Sequence, residues 1–177
     1  MPLVIRDSTD TDLPAITAIY DHAVRNGTGS FETDPPDIDE MIRRRHAVLE
    51  GGYPYLVAEN DGEVVGYCYA NTYNKRHAYR FSFENSVYVA PNNRKQGVGH
   101  ALLEELLARC EKAGYRLAIA IIGDSANIPS IRLHAAHGFQ KAGQLPNVGW
   151  KHGNWRDVVF MVRPLGSGAT EPPPSNH

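Results

Sequence analysis

The stretch from residue 79 to residue 122 constrains the fold most, because it predicts a strand, a glycine-containing turn, a helix and a second strand in direct succession. A β-prone run from Tyr79 to Val89 comes first, and polar residues then lead to Gly97 and Gly99. The apolar stripe that follows at helical spacing is Val98, Leu102, Leu103, Leu106, Leu107 and Cys110. Gly114 ends this helix, and the apolar run Leu117–Ile122 is typical of a buried strand. The chain therefore contains a strand–helix–strand crossover.

The rest of the chain supplies two earlier helices and further strands. Apolar residues recur at helical spacing behind Pro14, and the spacing of Asp37 to Glu40 resembles a capping box at the start of a second helix. The β-prone runs Tyr55–Glu59 and Glu63–Asn71 flank a turn signature, which predicts an antiparallel hairpin. The remaining predicted elements are a strand at residues 3–6, a short helix Ser130–His137 and a last strand Trp155–Arg163.

Charge and cysteine content exclude several classes of protein. The 18 Lys and Arg against 20 Asp and Glu give a net charge of −2, which argues against broad binding to nucleic acid or an anionic membrane. Cys68 and Cys110 have no companion at metal-ligand spacing, so we expect neither a zinc site nor a disulfide framework, and a reduced, cytoplasmic protein. No apolar run has the length of a signal or a membrane span. We expect one domain over residues 1–164 and a disordered Pro-rich tail over 165–177.

The turn before the long helix is the strongest functional motif. Two glycines beside a helix start allow close approach of a ligand, and unpaired amides with the positive end of the helix dipole favour a phosphate group. Arg94 and Lys95 add positive charge there. A P-loop is excluded because Gly99 is followed by His100, and a dinucleotide fingerprint is weakened by Leu102 where a small residue is required. The alternative is a structural turn with solvated basic residues.

Two spaced motifs in this chain resemble those of the Gcn5-related N-acetyltransferases. The first is Arg94–Gly99, which matches the family's signature of Arg or Gln, two residues, Gly, one residue and Gly or Ala. The second comprises Asn127, Ser130, Leu133, His134, Gly138 and Phe139. Within the superfamily, Lys75–Tyr79, Glu84–Val89 and Gly149–Asp157 are similar to segments of phosphinothricin and methionine sulfoximine acetyltransferases.

The resemblance implies an α/β fold with a mixed, mostly antiparallel sheet splayed between its fourth and fifth strands, flanking helices, and acetyl-CoA in the gap. No metal is required. The residues it implies at the cofactor are Val87, Tyr88, Val89, Arg94, Lys95, Gln96, Gly97, Val98, Gly99, His100, Asn127 and Ser130. Asn127 also fits the role of a helix cap, which is compatible with cofactor contact.

The reaction needs a base for the amine and a proton for the leaving thiolate. Free α-amines have pKa values of about 8, and Glu84 is the candidate base, with a strand carboxylate or an amine anchor as its alternative roles. His134 stands where many relatives carry a tyrosine that protonates the thiolate, and it acts either as that donor or as a helix-packing residue. We expect backbone amides near Val89 to stabilise the oxyanion.

The expected acceptor is a small amino acid or an analogue, acetylated at its α-amine by direct attack in a ternary complex. The candidate acceptor-binding residues are Asn74, Lys75, Arg76, Glu84, Asn85 and Ser86. On residue statistics alone, Asn74–Arg76 is more often an ordinary charged loop. The resemblance suggests a homodimer. A peptide or polyamine N-acetyltransferase and a non-catalytic acyl-CoA-binding sensor are the alternative functions.

Overall fold

The computed structural model describes residues 2–173 as one seven-stranded sheet flanked by four α-helices. The strands are β1 (Val4–Asp7), β2 (Tyr55–Asn60), β3 (Glu63–Thr72), β4 (Ser82–Val89), β5 (Leu117–Gly123), β6 (Gln140–Lys151) and β7 (Asn154–Pro164). The helices are α1 (Leu13–Asn26), α2 (Ile38–Glu50), α3 (Val98–Lys112) and α4 (Ile128–Ala136). Short 3-10 turns cover Asp10–Asp12, His77–Tyr79 and Pro91–Asn93.

The sheet has the order β1-β2-β3-β4-β5-β7-β6. Every neighbouring pair is antiparallel except β4 and β5, which run parallel because α3 connects them as a crossover. The β2–β3 hairpin turns at Asp61 and Gly62, both with positive φ, as the sequence signature requires. The predicted mixed sheet is confirmed.

Two apolar clusters cover the two faces of the sheet. One contains the buried stripe of α3, together with Phe83 of β4 and partly buried Leu133 of α4. The other joins α1 and α2 to a group of tyrosines on β2 and β3, and Tyr88 of β4 packs against it. Since side chains alternate along a strand, β4 presents odd-numbered residues to α3 and even-numbered residues to α1 and α2.

Local sequence signals explain where the first two helices begin. Pro14 lies in the first turn of α1, where its missing N–H costs no hydrogen bond. The side chain of Asp37 accepts a hydrogen bond from the amide of Glu40 at 2.8 Å and so caps α2. Both helices then bury one apolar stripe against the sheet.

Strand β6 is the element that the sequence patterns did not predict. Its twelve residues are exposed along most of their length, because β6 is the edge strand next to β7 and neither face is covered by a helix. It therefore lacks the alternation that marks a half-buried strand, and Pro146 interrupts the β-prone residues. Its pairing with β7 shifts register twice.

The C-terminal boundary of the domain at residue 164 stays a prediction. Leu165 is buried in the α3 cluster, and the amide of Gly168 donates to the carbonyl of Leu165. The last four residues of the predicted tail, 174–177, lie outside the described residues.

Within residues 2–173, none of the helices combines the length and the hydropathy that a bilayer span requires.

Candidate active site

A cleft opens where β4 and β5 separate. The two strands pair only from Ser82 to Glu84 on β4 and from Leu117 to Ile119 on β5. Beyond this segment β4 continues against β3 and β5 continues against β7. The resulting cleft has a volume of about 730 Å³ and is closed on its other sides by α3, α4 and the loop after α1. The predicted splay between the fourth and fifth strands is therefore present.

Backbone amides of β4 point into this cleft. The amide of Ala90 donates to the carbonyl of Val65 on β3 at 2.9 Å. Successive amides of a strand point to opposite edges, so those of Val87 and Val89 point away from β3, toward the side that β5 has left. Val87, Tyr88 and Val89 all line the cleft. The arrangement offers hydrogen-bond donors that no neighbouring strand occupies.

The N-terminus of α3 forms the second wall of the cleft. Gly97 caps the helix with φ 83°, a left-handed conformation that glycine adopts without strain, and it provides no side-chain cap. The amides of Val98, Gly99 and His100 precede the first helical hydrogen bond, from Ala101 to Gly97. A Cβ at Gly97 would meet nothing within 4 Å, so the space before these amides is open.

Positive charge lies beside these amides. Arg94 and Lys95 line the cleft together with Gly97–His100. Gln96 is not among the lining residues, and its side chain donates to the carbonyl of Asn92 at 2.9 Å. Uncapped amides, the helix dipole and two cations suit the pyrophosphate of an acyl-CoA.

The start of α4 faces α3 across the cleft. Asn127 is the N-cap of α4, and its side chain accepts from the amide of Ser130 at 3.4 Å while donating to the carbonyl of Gly123 at 3.4 Å. Asn127 and Ser130 both line the cleft. The helix-cap role of Asn127 is thus present in the structure, at a position that also borders the cleft.

His134 and Asn85 form a buried pair at the inner end of the cleft. Nδ1 of His134 lies 2.8 Å from the carbonyl oxygen of Ser130, and Nε2 lies 2.8 Å from Nδ2 of Asn85. Their exposed fractions are 4% for His134 and 5% for Asn85. Burial lowers the pKa of His134, and the hydrogen bond to Ser130 opposes that shift less strongly. Asn85 therefore faces α4, on the cofactor side of the sheet.

Glu84 lies on the opposite face of β4. Its cross-strand partner on β3 is Asn71, and it shares its face with Ser86 and Tyr88. Burial raises the pKa of Glu84, because removal from water disfavours the carboxylate. A carboxyl group in such surroundings holds a proton more readily than an exposed one, which suits a group that takes up a proton and releases it again.

The basic loop after β3 is exposed and lies outside the cleft. β3 ends at Thr72, one residue beyond Asn71, so the loop leaves the sheet beside the Glu84 position. Asn74 accepts a hydrogen bond from the amide of Arg76 at 3.0 Å through its side chain, and Lys75 between them is exposed. The structure thus separates the predicted acceptor residues. Asn85 and Ser86 line the cleft, whereas Glu84 and Asn74–Arg76 do not.

The loop between α1 and α2 completes the cleft, and sequence reasoning missed how it is held. Gly27, Thr28 and Gly29 line the cleft. Lys151 at the end of β6 is only 3% exposed and donates from Nζ to the carbonyl of Ser30 at 2.7 Å. Burial lowers the pKa of Lys151. The sequence showed Lys151 as part of a distinctive run, but nothing in it indicated a contact with a loop more than a hundred residues earlier.

A polar network extends from that loop to α2. Ser30 Oγ lies 2.9 Å from the hydroxyl of Tyr20, which also donates to Glu32. Glu32 accepts two hydrogen bonds from Arg44, at 2.7 and 2.9 Å, and the Arg44 guanidinium lowers the pKa of Glu32. The loop that lines the cleft is therefore fixed to β6 at one point and to α2 at another.

Known proteins are similar to this chain in sequence and in fold. A sequence profile of the acetyltransferase (GNAT) family matches residues 16–139. The chain is 56% identical over 169 residues to the phosphinothricin N-acetyltransferase of Alcaligenes faecalis, covering 96% of this chain and 86% of that protein. It is 40% identical over 162 residues to the L-methionine sulfoximine/L-methionine sulfone acetyltransferase of Pseudomonas paraeruginosa, covering 91% and 94%. The crystal structure of a GNAT superfamily phosphinothricin acetyltransferase from Sinorhizobium meliloti, in complex with acetyl-CoA, gives a TM-score of 0.96 at 44% identity, covering 99% and 95%.

Proposed function

The chain belongs to the acetyltransferase (GNAT) family, and from that membership we propose that it moves the acetyl group of acetyl-CoA directly to the α-amine of a small amino acid or analogue. It is an N-acetyltransferase, and acetyl-CoA is its acetyl donor. The acceptors we propose are compounds of the phosphinothricin, methionine sulfoximine or methionine sulfone type, because relatives that align over nearly the whole chain are named for them.

The observation that carries the proposal is the cleft between β4 and β5. Its volume of about 730 Å³ lies within the range of small-molecule sites. In our proposal the amides of Lys95–His100 hold the pyrophosphate, those of Val87 and Val89 face the pantetheine and acetyl group, and Asn127 and Ser130 contact the opposite side. When bound there, acetyl-CoA supplies an activated acetyl group as a thioester.

In the proposed reaction Glu84 removes a proton from the acceptor ammonium, directly or through a water molecule. The free amine attacks the thioester carbonyl in a ternary complex, so no acyl-enzyme forms. An amide near Val89 stabilises the oxyanion, because a donor fixed in the backbone needs no reorganisation as the charge develops. The raised pKa of Glu84 supports its role, since an effective base has a pKa closer to the working pH.

The acceptor site lies, in this proposal, on the Glu84 face of β4. Lys75 and Arg76 are exposed in the loop that leaves β3 next to Asn71, the cross-strand partner of Glu84. Their charges suit the carboxylate of an amino acid and repel a polyamine. Asn74 and Ser86 complete the proposed acceptor contacts. The assembly of the chain into a homodimer stays a prediction.

An acetylation screen tests the proposal. The purified protein is given acetyl-CoA and single acceptors, and thiol release is followed together with mass detection of the product. The acceptors are phosphinothricin, methionine sulfoximine, methionine sulfone, the ordinary amino acids, short peptides and polyamines, with Gly97→Trp as the control for thioester hydrolysis. Turnover of the amino-acid group alone supports the proposal. Turnover confined to peptides or polyamines overturns the acceptor class, and binding without turnover identifies an acyl-CoA sensor.

A further inference from the structure

The position of the proton on His134 follows from its two hydrogen bonds. A carbonyl oxygen has no proton to give, so the 2.8 Å contact between Nδ1 and the Ser130 carbonyl requires a proton on Nδ1. The Ser130 hydroxyl is farther from Nδ1, at 3.5 Å. Burial favours the neutral ring, which leaves Nε2 without a proton. Nε2 therefore accepts the hydrogen bond from Nδ2 of Asn85.

The carboxamide of Asn85 is only half satisfied in this arrangement. Its nitrogen donates to His134, but its oxygen Oδ1 is fully buried and has no hydrogen-bond partner among residues 2–173. A buried acceptor without a partner is unfavourable, and native proteins rarely contain one without a reason. Rotation of the carboxamide by half a turn exchanges Oδ1 for Nδ2 and brings Oδ1 to Nε2. That contact is a hydrogen bond only when Nε2 carries a proton.

We propose that Asn85 is a positioning residue that controls the protonation of His134. Its carboxamide holds the neutral ring with the proton on Nδ1, and turns over to accept from Nε2 when the ring takes up a second proton. In the turned state the ring has a proton to release, and in the state seen here it has none on Nε2. Release to the leaving thiolate moves the Nε2 proton to sulfur and returns the bonding pair to nitrogen, after which the carboxamide turns back. Only this last use of the proton rests on the proposed function.

The surroundings of His134 leave Asn85 as the polar group at Nε2. Phe139, in the turn between α4 and β6, meets the ring edge-to-face, with centroids 5.0 Å apart. His137, the residue directly after α4, is a titratable neighbour whose charge lowers the pKa of His134. Glu84 lies on the other face of β4. His137 is in turn influenced by the charges of His100 and Glu104 of α3 and of Arg163 of β7. The charged residue on α4 itself is Arg132.

Nitrogen-detected NMR of the histidine rings in the protein without cofactor tests the proposal. We expect the parent protein at high pH to show His134 with its proton on Nδ1. Asn85→Asp places a carboxylate beside Nε2 and is expected to raise the pKa of His134 by about 1 to 3 units. Asn85→Leu removes the acceptor at similar volume and is expected to lower that pKa. Asn60→Asp, the same chemical change at the end of β2, is the matched control and leaves it unchanged.

The outcomes separate this inference from the proposed function. A proton on Nε2 in the neutral parent protein overturns the inference and needs no variant, so a variant that fails to fold leaves the test intact. Equal pKa values in the parent and in both folded Asn85 variants also overturn it. The acetylation rate of the same variants is then measured as a function of pH. The apparent pKa assigned to His134 in these profiles should shift by the same amount as the pKa of His134 measured by NMR. If no amine is acetylated while the NMR results hold, the proposed function fails and the control of His134 by Asn85 stands.

Discussion

Replacing Gly123 by alanine should damage both stability and activity, because the α1–α2 loop packs directly on this glycine. A Cβ at Gly123 would overlap the carbonyl oxygen of Thr28 and lie 3.1 Å from the carbonyl oxygen of Gly29. Both neighbours are backbone atoms that cannot rotate away, so the loop must move by about 1 Å to restore van der Waals contact. Thr28 and Gly29 line the cleft, and the displacement therefore reaches the site.

The expected magnitude follows from this clash. Overpacking of this kind costs about 1–3 kcal/mol in the free energy of unfolding, and a chain of this length loses about 2–4 °C in Tm per kcal/mol. We therefore expect Tm to fall by about 2–12 °C. A misplacement of about 1 Å in a wall of an active site can cost about 100-fold in rate, so kcat/KM should fall by up to that factor.

Gly143→Ala on β6 is the matched control. A Cβ at Gly143 would meet nothing within 4 Å, and both substitutions reduce the flexibility of the unfolded chain equally. The difference between the two variants in urea unfolding and in the acetylation assay isolates the effect of the clash. Indistinguishable unfolding free energies and rates for Gly123→Ala and Gly143→Ala would refute the packing argument.

Three further predictions concern the proposed chemistry. Glu84→Gln should lower kcat by about 10²- to 10⁴-fold near neutral pH with acetyl-CoA affinity nearly unchanged, and higher pH should partly restore the rate because it supplies free amine; a pH–rate profile that overlays the parent would exclude Glu84 as the base. Gly97→Trp should abolish acetyl-CoA binding in calorimetry while the protein stays folded, since the indole would fill the space before the α3 amides; undiminished binding would contradict the assigned phosphate site. Lys75→Ala with Arg76→Ala should raise the acceptor KM far more than the acetyl-CoA KM, and equal effects on both would remove these residues from the acceptor site.

The sequence predicted the crossover well because its signals are local and agree with one another. The stripe of α3 has the helical period, Gly97 lies next to its start, and β5 reads as a buried strand. The resemblance to the acetyltransferase family, which rests on the turn before α3 and on α4, is confirmed by the family profile and by the solved relatives. Elements of this kind can be predicted from sequence because their signals depend only on residues close together in the chain.

Contacts across the sheet could not be predicted in the same way. The burial of Lys151 depends on the carbonyl of Ser30, and β6 depends on pairing with β7 rather than on its own alternation. Asn85 was expected in the acceptor pocket together with Glu84 and Ser86. The alternation of a strand instead turns these two side chains to opposite faces, and only the position of α4 shows that Asn85 contacts His134.

The same alternation places the proposed base, Glu84, and the proposed acid, His134, on opposite faces of the sheet. Burial raises the pKa of Glu84 and lowers that of His134, so burial brings the proton affinities of the two groups closer together. Glu84 lies on the face of β4 toward α1 and α2, whereas His134 packs against the other face, so the sheet lies between them. The amine can then be deprotonated on the α1–α2 face while the thiolate leaves on the α3–α4 face. In the proposed reaction the acetyl carbon lies between them, in the gap that β5 leaves, where the amides of Val87 and Val89 have no strand partner. A base and an acid in contact on one face would exchange the proton directly, and the sheet between Glu84 and His134 prevents that contact.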